Sequence, residues 1–469
     1  MTRRPTVAAS VAALALAGCA SFSEDGGFGP VQELARERLG VQLRWQRTDE
    51  DAQSVRAAVR ELLSRPISAD DAVRIALLNS PALQAAYAEL GIAEADLVQA
   101  ASGPNLRLHA LRTTYGGEVA KLEQTFGFDI LGVLLMPLRK RMEARRFERV
   151  QAEVAQQVFR TALEARRAWI AAVAAEETLR QAERVRDSAE AAAELARRMA
   201  AAGNLPKLAH MREQAFYAEA AADLARARHA AAAARERLAR VLGLWGEDLA
   251  FRLPERLPDL PEAPRDWEDL ERRAIEQRLD VRAARRELEW LAEALGLSGA
   301  TRLVSAAEFS RARTREGHDP FAYGHALALE IPIFDWGKAR LARAEAQYRQ
   351  AAERLVDVAI QARSEVREAF GAYRAAWELA RHHRDELVPL RKRISEEVLL
   401  RYNGMLASVF ELLSDARVQI SAVKAALEAK RDFWLAEAEL DATLSIRVRS
   451  EPRAASPALR GATGAEAGH

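Results

Sequence analysis

Of the side chains that could do chemistry, Glu411 and Asp415 stand out by their spacing. Four residues apart on a helix, both carboxylates project from one face and can line a common surface. They follow a turn at Gly404 that is flanked by Arg401 and Tyr402. Two readings stay open for the acids. They are helix-start carboxylates favoured by the helix dipole, or, repeated around a symmetry axis, a negative ring that favours cations at a pore mouth. About 200 residues earlier a matching turn carries Gly203, Lys207 and His210, so the two turns are not equivalent. The eight histidines fall in no His-Glu-x-x-His spacing. The adjacent His382 and His383 diverge by about 100° on a helix and chelate poorly. No phosphate-binding Gly-x-x-x-x-Gly-Lys loop, dinucleotide glycine pattern or Gly-x-Ser-x-Gly elbow is present. No catalytic residue, resident metal site or cofactor is therefore expected; a metal ion as transported cargo stays open.

The elements that position these turns are written twice. Ala76–Ala86 aligns with Ala274–Ala284 at an offset of 198, Phe128-Asp129 with Phe334-Asp335 at 206, and Gly203 with Gly404 at 201. Three landmarks in one order at nearly one offset indicate a duplicated unit. In each unit a short helix comes first, capped in the first unit by Ser68, and then a second helix. The second helix of the first unit starts at Ser80-Pro81 with proline at its first position. Two alternating runs follow, expected as strands at about 105–112 and 121–128, then about 302–311 and 322–331. Tyr115, Phe321 and Tyr323 stand near the loop ends of these hairpins.

After each hairpin lies an unusually long helical stretch. In 138–199, Phe147, Val150, Val154, Val158, Ile170 and Val173 recur at near-heptad spacing. In 338–402, Leu341, Tyr348, Leu355, Ala362, Val366, Tyr373 and Trp377 do the same. A helix of that length reaches roughly 95 Å and cannot be buried in one compact domain. Pro389 should kink the second stretch. Return helices are expected at 212–243 and 411–446. Being shorter, each would need the unit's second helix (81–101 or 280–297) stacked end to end with it to match its long partner. The basic runs at Arg139, Lys140, Arg141, Arg145 and Arg146 alternate with apolar positions and nearby acids and read as solvated helix faces, with phosphate or lipid-headgroup contact as the alternative.

Composition bounds the rest. The 469 residues carry 69 Lys plus Arg against 68 Asp plus Glu, a formal net charge of +1, so no global field draws nucleic acid. The one cysteine, Cys19, excludes an intramolecular disulfide and a cysteine-based zinc site. It closes a segment with Arg3, Arg4 and an apolar run at 7–17, the layout of a signal peptide. Its Leu16-Ala17-Gly18-Cys19 ending resembles the bacterial lipobox, which implies lipidation of Cys19. Loss of residues 1–18 would take the net charge from +1 to −1. No run of 18 or more apolar residues follows, so any membrane crossing must use strands of a closed barrel. Four strands cannot close one, but three copies would pool twelve. In that arrangement Leu106, Leu108, Ala110, Leu122, Phe126, Phe128, Leu327, Leu329 and Ile331 face one way, and Arg107, His109, Glu123 and Thr125 the other.

Together the duplication, strand pairs, long helical hairpins and three segments, Pro66–Pro81, Ile331–Arg340 and Leu400–Arg417, resemble the TolC-type outer-membrane efflux channel family. The resemblance covers roughly 65–450. One departure is a single residue between Tyr402 and Gly404, where that family often has two. The resemblance implies a mainly α fold with a small β part, two coiled-coil hairpins per chain, and four strands that complete a 12-stranded barrel and helical tube in a homotrimer. It also implies an outer-membrane location, a periplasmic adaptor and inner-membrane pump as partners, export of drugs, metals or other small solutes, and a periplasmic gate at Arg401, Tyr402, Gly404, Glu411 and Asp415. The expected organisation is a signal peptide at 1–18, a lipid-anchored linker at 19–65, a first repeat at 66–247, a proline-rich linker at 248–265, a second repeat at 266–449 and a disordered tail at 450–469. A periplasmic coiled-coil adaptor or scaffold lipoprotein, its strands in water, is the alternative.

Overall fold

The computed structural model describes residues 21–266, 268–300, 306–330 and 336–448. Cys19, the signal segment and the tail at 450–469 lie outside the described residues, as do Ile331 to Asp335.

Among the described residues four helices precede the sheet: α1 (Gly29–Leu39), α2 (Asp49–Leu63), α3 (Ala69–Asn79) and α4 (Pro81–Ala101). The first two fall in the segment expected as a linker, and they are folded into the core through Val31, Ala35, Val55 and Val59. Their starts are written locally. Thr48 and Asp51 exchange side-chain and backbone hydrogen bonds at the head of α2, and Ser68 and Asp71 do the same at α3. Burial pushes the Asp71 carboxyl up, but the Ser68 hydroxyl and amide, helped by Arg65, hold it below its ordinary value. Ser80 occupies the cap position of α4 but makes no side-chain capping bond; Pro81 alone sets that start.

Strands β1 (Arg107–Tyr115), β2 (Glu118–Asp129), β3 (Ala306–Glu316) and β4 (Ala322–Glu330) form one antiparallel sheet in sequence order. The pairing β2–β3 joins the two halves of the chain, Phe128 opposite Phe309. Strands β1 and β4 are its edges.

From β2 the chain passes directly into α5 (Ile130–Ala201), 72 residues or about 110 Å of continuous helix. It begins eight residues earlier than the sequence pattern indicates. Asp129 caps it by accepting from the Gly132 amide at 2.8 Å, and Pro137 is tolerated near the start. Its return partner is α6 (Lys207–Leu242). The second half has α7 (Leu270–Gln277), α8 (Leu279–Ala300) and α9 (Lys338–His382). A π-helical turn at His383–Leu387 leads into α10 (Val388–Asn403), and α11 (Val409–Thr443) returns. Pro389 follows this wide turn directly: the ring removes an amide and displaces a carbonyl, which a π turn absorbs without ending the helix.

The end-to-end stacking is visible at two joints. Where α6 ends, the Asn79 side-chain amide donates to the carbonyls of Leu242 (3.0 Å) and Gly243 (2.8 Å), at the head of α4. Gly243 has φ +68°, and a Cβ there would meet the Asn79 carbonyl oxygen at 2.7 Å. In the second half the Leu279 amide, at the head of α8, donates to the Ser445 carbonyl beyond α11 at 2.8 Å. The main core surrounds the joints and the middle of α5, from Val154 to Ala174. Residues 248–265 lie against these helices as a strap. The Trp377 and Trp434 indoles donate to the carbonyls of Pro261 and Pro258, and the Tyr373 hydroxyl accepts from the Arg265 amide.

Candidate functional site

The two hairpin tips lie at the end of the molecule remote from the sheet, where α5 and α10 finish and α6 and α11 start. At the first tip Gly203 takes φ +76° and the Asn204 amide bonds back to the Met199 carbonyl at 2.9 Å. Lys207 is exposed, and His210 is half-buried with its Nε2 lacking a hydrogen-bond partner among the described residues. Just before the turn, hydrogen bonds from Arg197 and Arg198 pull the Glu194 carboxyl down to about 2.

The second tip turns differently. Gly404, the glycine matched to Gly203 by sequence, has φ −80°; the left-handed residue is Met405, φ +62° and 93% exposed. The Arg401 carbonyl accepts from the Leu406 amide at 2.7 Å and the Tyr402 carbonyl from the Met405 amide at 3.0 Å. Both residues thus shape the turn through their backbone. The Arg401 side chain bonds Glu397 on its own helix at 3.0 Å. Ser408 caps α11 by accepting from the Glu411 amide at 3.2 Å. The Glu411 side chain is exposed, whereas Asp415 is half-buried and accepts from the Ser395 hydroxyl of α10, which also donates to Gln419. The two acids share a helix face, but within one chain Glu411 looks outward while Asp415 braces α10 against α11.

Sequence reasoning missed the contact that joins the tips. Arg417 of α11 donates to Glu213 of α6 at 2.7 Å and lies 4.5 Å over the Phe216 ring. The Glu213 side chain is only 4% exposed. Its second oxygen and the Arg417 Nε are buried without hydrogen-bond partners. A small apolar cleft beside it, lined by Leu195, Met199, Leu205 and Phe410 among others, packs the first tip against the second. Glu213 and Arg417 lie 204 residues apart, and no local spacing links them. Among the described residues no helix is long and apolar enough to cross a membrane.

Neither a family model nor a curated protein matches the chain. Several solved structures share its fold. CusC, a protein that forms a transmembrane channel, superposes with a TM-score of 0.68 at 15% identity, covering 81% of this chain and 92% of its own. The outer-membrane channel OprN gives 0.67 at 19%, covering 82% and 91%. The MtrE outer-membrane channel of Neisseria gonorrhoeae, solved in its open state, gives 0.62 at 20%, covering 83% and 88%. The chain has the fold of these outer-membrane channels, the fold that its resemblance to TolC-type proteins implied.

Proposed function

We propose that this protein is the outer-membrane channel of a tripartite efflux pump, a passive trimeric conduit through which small solutes leave the periplasm. The observation that carries this reading is the sheet. Its four strands end in two unpaired edges, β1 and β4, at one extremity of two long helical hairpins. Open edges are not tolerated in lipid, and pairing β1 of one copy with β4 of the next, three times, removes them. The helices continue the barrel as a tube toward a periplasmic adaptor and an inner-membrane pump, and lipidation of Cys19 adds an anchor. Drugs, metal ions and similar solutes are all admissible cargo, because such a conduit is fed by its pump.

On this reading the remote tips are the gate. The Arg417–Glu213 pair holds the tips of one chain together, and Arg401, Tyr402, Gly404 and Glu411 stand where a neighbouring copy's tips would meet them. Opening trades these contacts for contacts with the adaptor, a shift of a few kcal/mol in differential binding. Single-channel recording in planar bilayers tests both levels. The wild type should conduct as a heat-sensitive trimer. Replacing Glu411 and Asp415 with alanine should leave assembly intact, lower cation preference and weaken block by divalent ions. A soluble, non-conducting monomer would overturn the channel reading; unchanged selectivity would reduce the two acids to helix-start and bracing roles.

A further inference from the structure

The strand register sorts the charges of the sheet by face. Leu108, Phe126, Arg311 and His325 stand side by side across the four strands, and so do Ala110, Gln124, Arg313 and Tyr323. One level further out are Arg112, Leu122 and Arg315; one level nearer the helices are Phe128, Phe309 and Leu327. This single face holds most of the large apolar side chains of the sheet and four arginines. Glu123, Asp129, Glu308, Glu316 and Glu330 all fall on the opposite face. Glu118, the first residue of β2, pairs with Tyr115 and falls on that opposite face as well. The ion pairs Arg107–Glu308 (2.8 Å) and Lys121–Glu123 (3.2 Å) also lie on that opposite face.

The arginines are ordered along the sheet. Alternate residues of β3 place Arg311, Arg313 and Arg315 about 7 Å apart, climbing toward the loop end, with Arg112 about 10 Å across from Arg315. Arg311 lies over Tyr323 (5.6 Å), and Arg313 and Arg315 over Phe321 (5.2 and 5.1 Å). Arg313 also donates to Gln124. Aromatic rings beneath guanidinium groups are the arrangement of side chains that lie along apolar surface and present their charge at an interface.

We propose that this face docks the phosphate groups of outer-leaflet lipid. The proposal rests on the channel reading, which puts the apolar face against lipid and the loop ends outward. An arginine on the lipid side of a barrel is costly at mid-depth and nearly free at the rim, so a ladder of them needs a compensating anion. Phosphate supplies it: guanidinium forks bind it bidentately, and no carboxylate shares the face to compete. Three copies would present twelve arginines around the rim.

The test uses the full-length trimer in nanodiscs of phosphatidylethanolamine containing diphosphoryl lipid A, with bound lipid counted by native mass spectrometry. The wild type should retain lipid A selectively, and retention should fall with a lipid A lacking both phosphates. Arg311→Gln, Arg313→Gln and Arg315→Gln combined should lower retention by roughly tenfold or more, given the usual attraction of each basic residue to an anionic surface. Lys121→Gln on the other face should not. The dephosphorylated lipid needs no variant, so a misfolded triple mutant would not remove the test. Equal retention of phosphorylated and dephosphorylated lipid overturns the proposal. So does displacement by millimolar inorganic phosphate, which would mark a free-anion site. A wild type that does not insert at all overturns the channel reading and this proposal together, an outcome distinct from an inserted trimer indifferent to phosphate.

Discussion

The two halves of the chain share a plan yet are held by different means. At its joint the first half uses a neutral amide, Asn79, against the backbone at Gly243. The second uses Arg278, with no solvent exposure, bonded to Asp280 at 2.7 Å and paired with Glu365 at 2.7 Å. Burial pulls the Arg278 guanidinium down, but those two carboxylates hold it above its ordinary value. The long helix of the first half is unbroken over 72 residues; that of the second is relieved by the π turn at His383–Leu387. The first tip puts a glycine in the left-handed region, the second a methionine. The two halves run through the same order of helices, strands and long hairpin, while their fasteners differ. The second half carries the fully buried arginine at its joint, the wide turn and the strained tip, so its parts depend more on their partners.

Three substitutions sharpen this contrast. The largest effect is expected from Arg278→Ala, which removes the buried guanidinium, leaves half-buried Asp280 without it and Glu365 with only Arg447 at 3.2 Å, and should cost roughly 3 kcal/mol for the charge-assisted bonds lost. Denaturant unfolding would show it; a loss below 1 kcal/mol would mean that water replaces the guanidinium and the joint is not held by charge. Gly243→Ala comes next. A methyl group would collide with the Asn79 carbonyl and the residue would keep a left-handed backbone, for a cost of about 2 kcal/mol or more. Hydrogen exchange should rise at the end of α6 and the start of α4 but not at the Ser445–Leu279 joint. Equal loosening of both joints would mean that they are one cooperative unit. The smallest effect has the opposite sign. Met405→Gly relieves about 1–2 kcal/mol of backbone strain and returns part of it as unfolded-chain entropy of about 0.4–1 kcal/mol. The second tip should gain roughly 1 kcal/mol, read as slower exchange across 401–411, and Gly203→Ala at the first tip should do the reverse.

Much of the architecture was written along the chain. Heptad spacing in 138–199 and 338–402, the alternating runs and the capping residues Ser68 and Asp71 are local signals, and each led to the element it announces. Boundaries moved where a neighbour decided them. Helix α5 starts at Ile130 because Asp129 caps it at the end of a strand that β1 and β3 hold in place. The segment before residue 65 carries no long-range signal of its own, yet two helices form there because α1 finds an apolar surface on α5 and α2 finds one on α3. For the candidate site, the sequence pointed to the two turns and to Glu411 and Asp415, but not to the side chains they meet. Asp415 meets Ser395 on the adjacent antiparallel helix, and Arg417 meets Glu213 from the other half of the chain.

By itself, then, the sequence determined what depends on neighbours a few residues away: helix and strand periods, caps, turns and the doubling of the unit. Tertiary structure alone decided what depends on residues far apart in the chain. The registers of β1 and β3 on β2 set Arg112, Arg311, Arg313 and Arg315 on the apolar face, because a one-residue slip would have sent a strand's arginines to the other side. The folding of the two halves onto each other brought Arg417 of α11 to Glu213 of α6 and left that carboxylate 4% exposed, because only contacts between distant parts of the chain remove water from it.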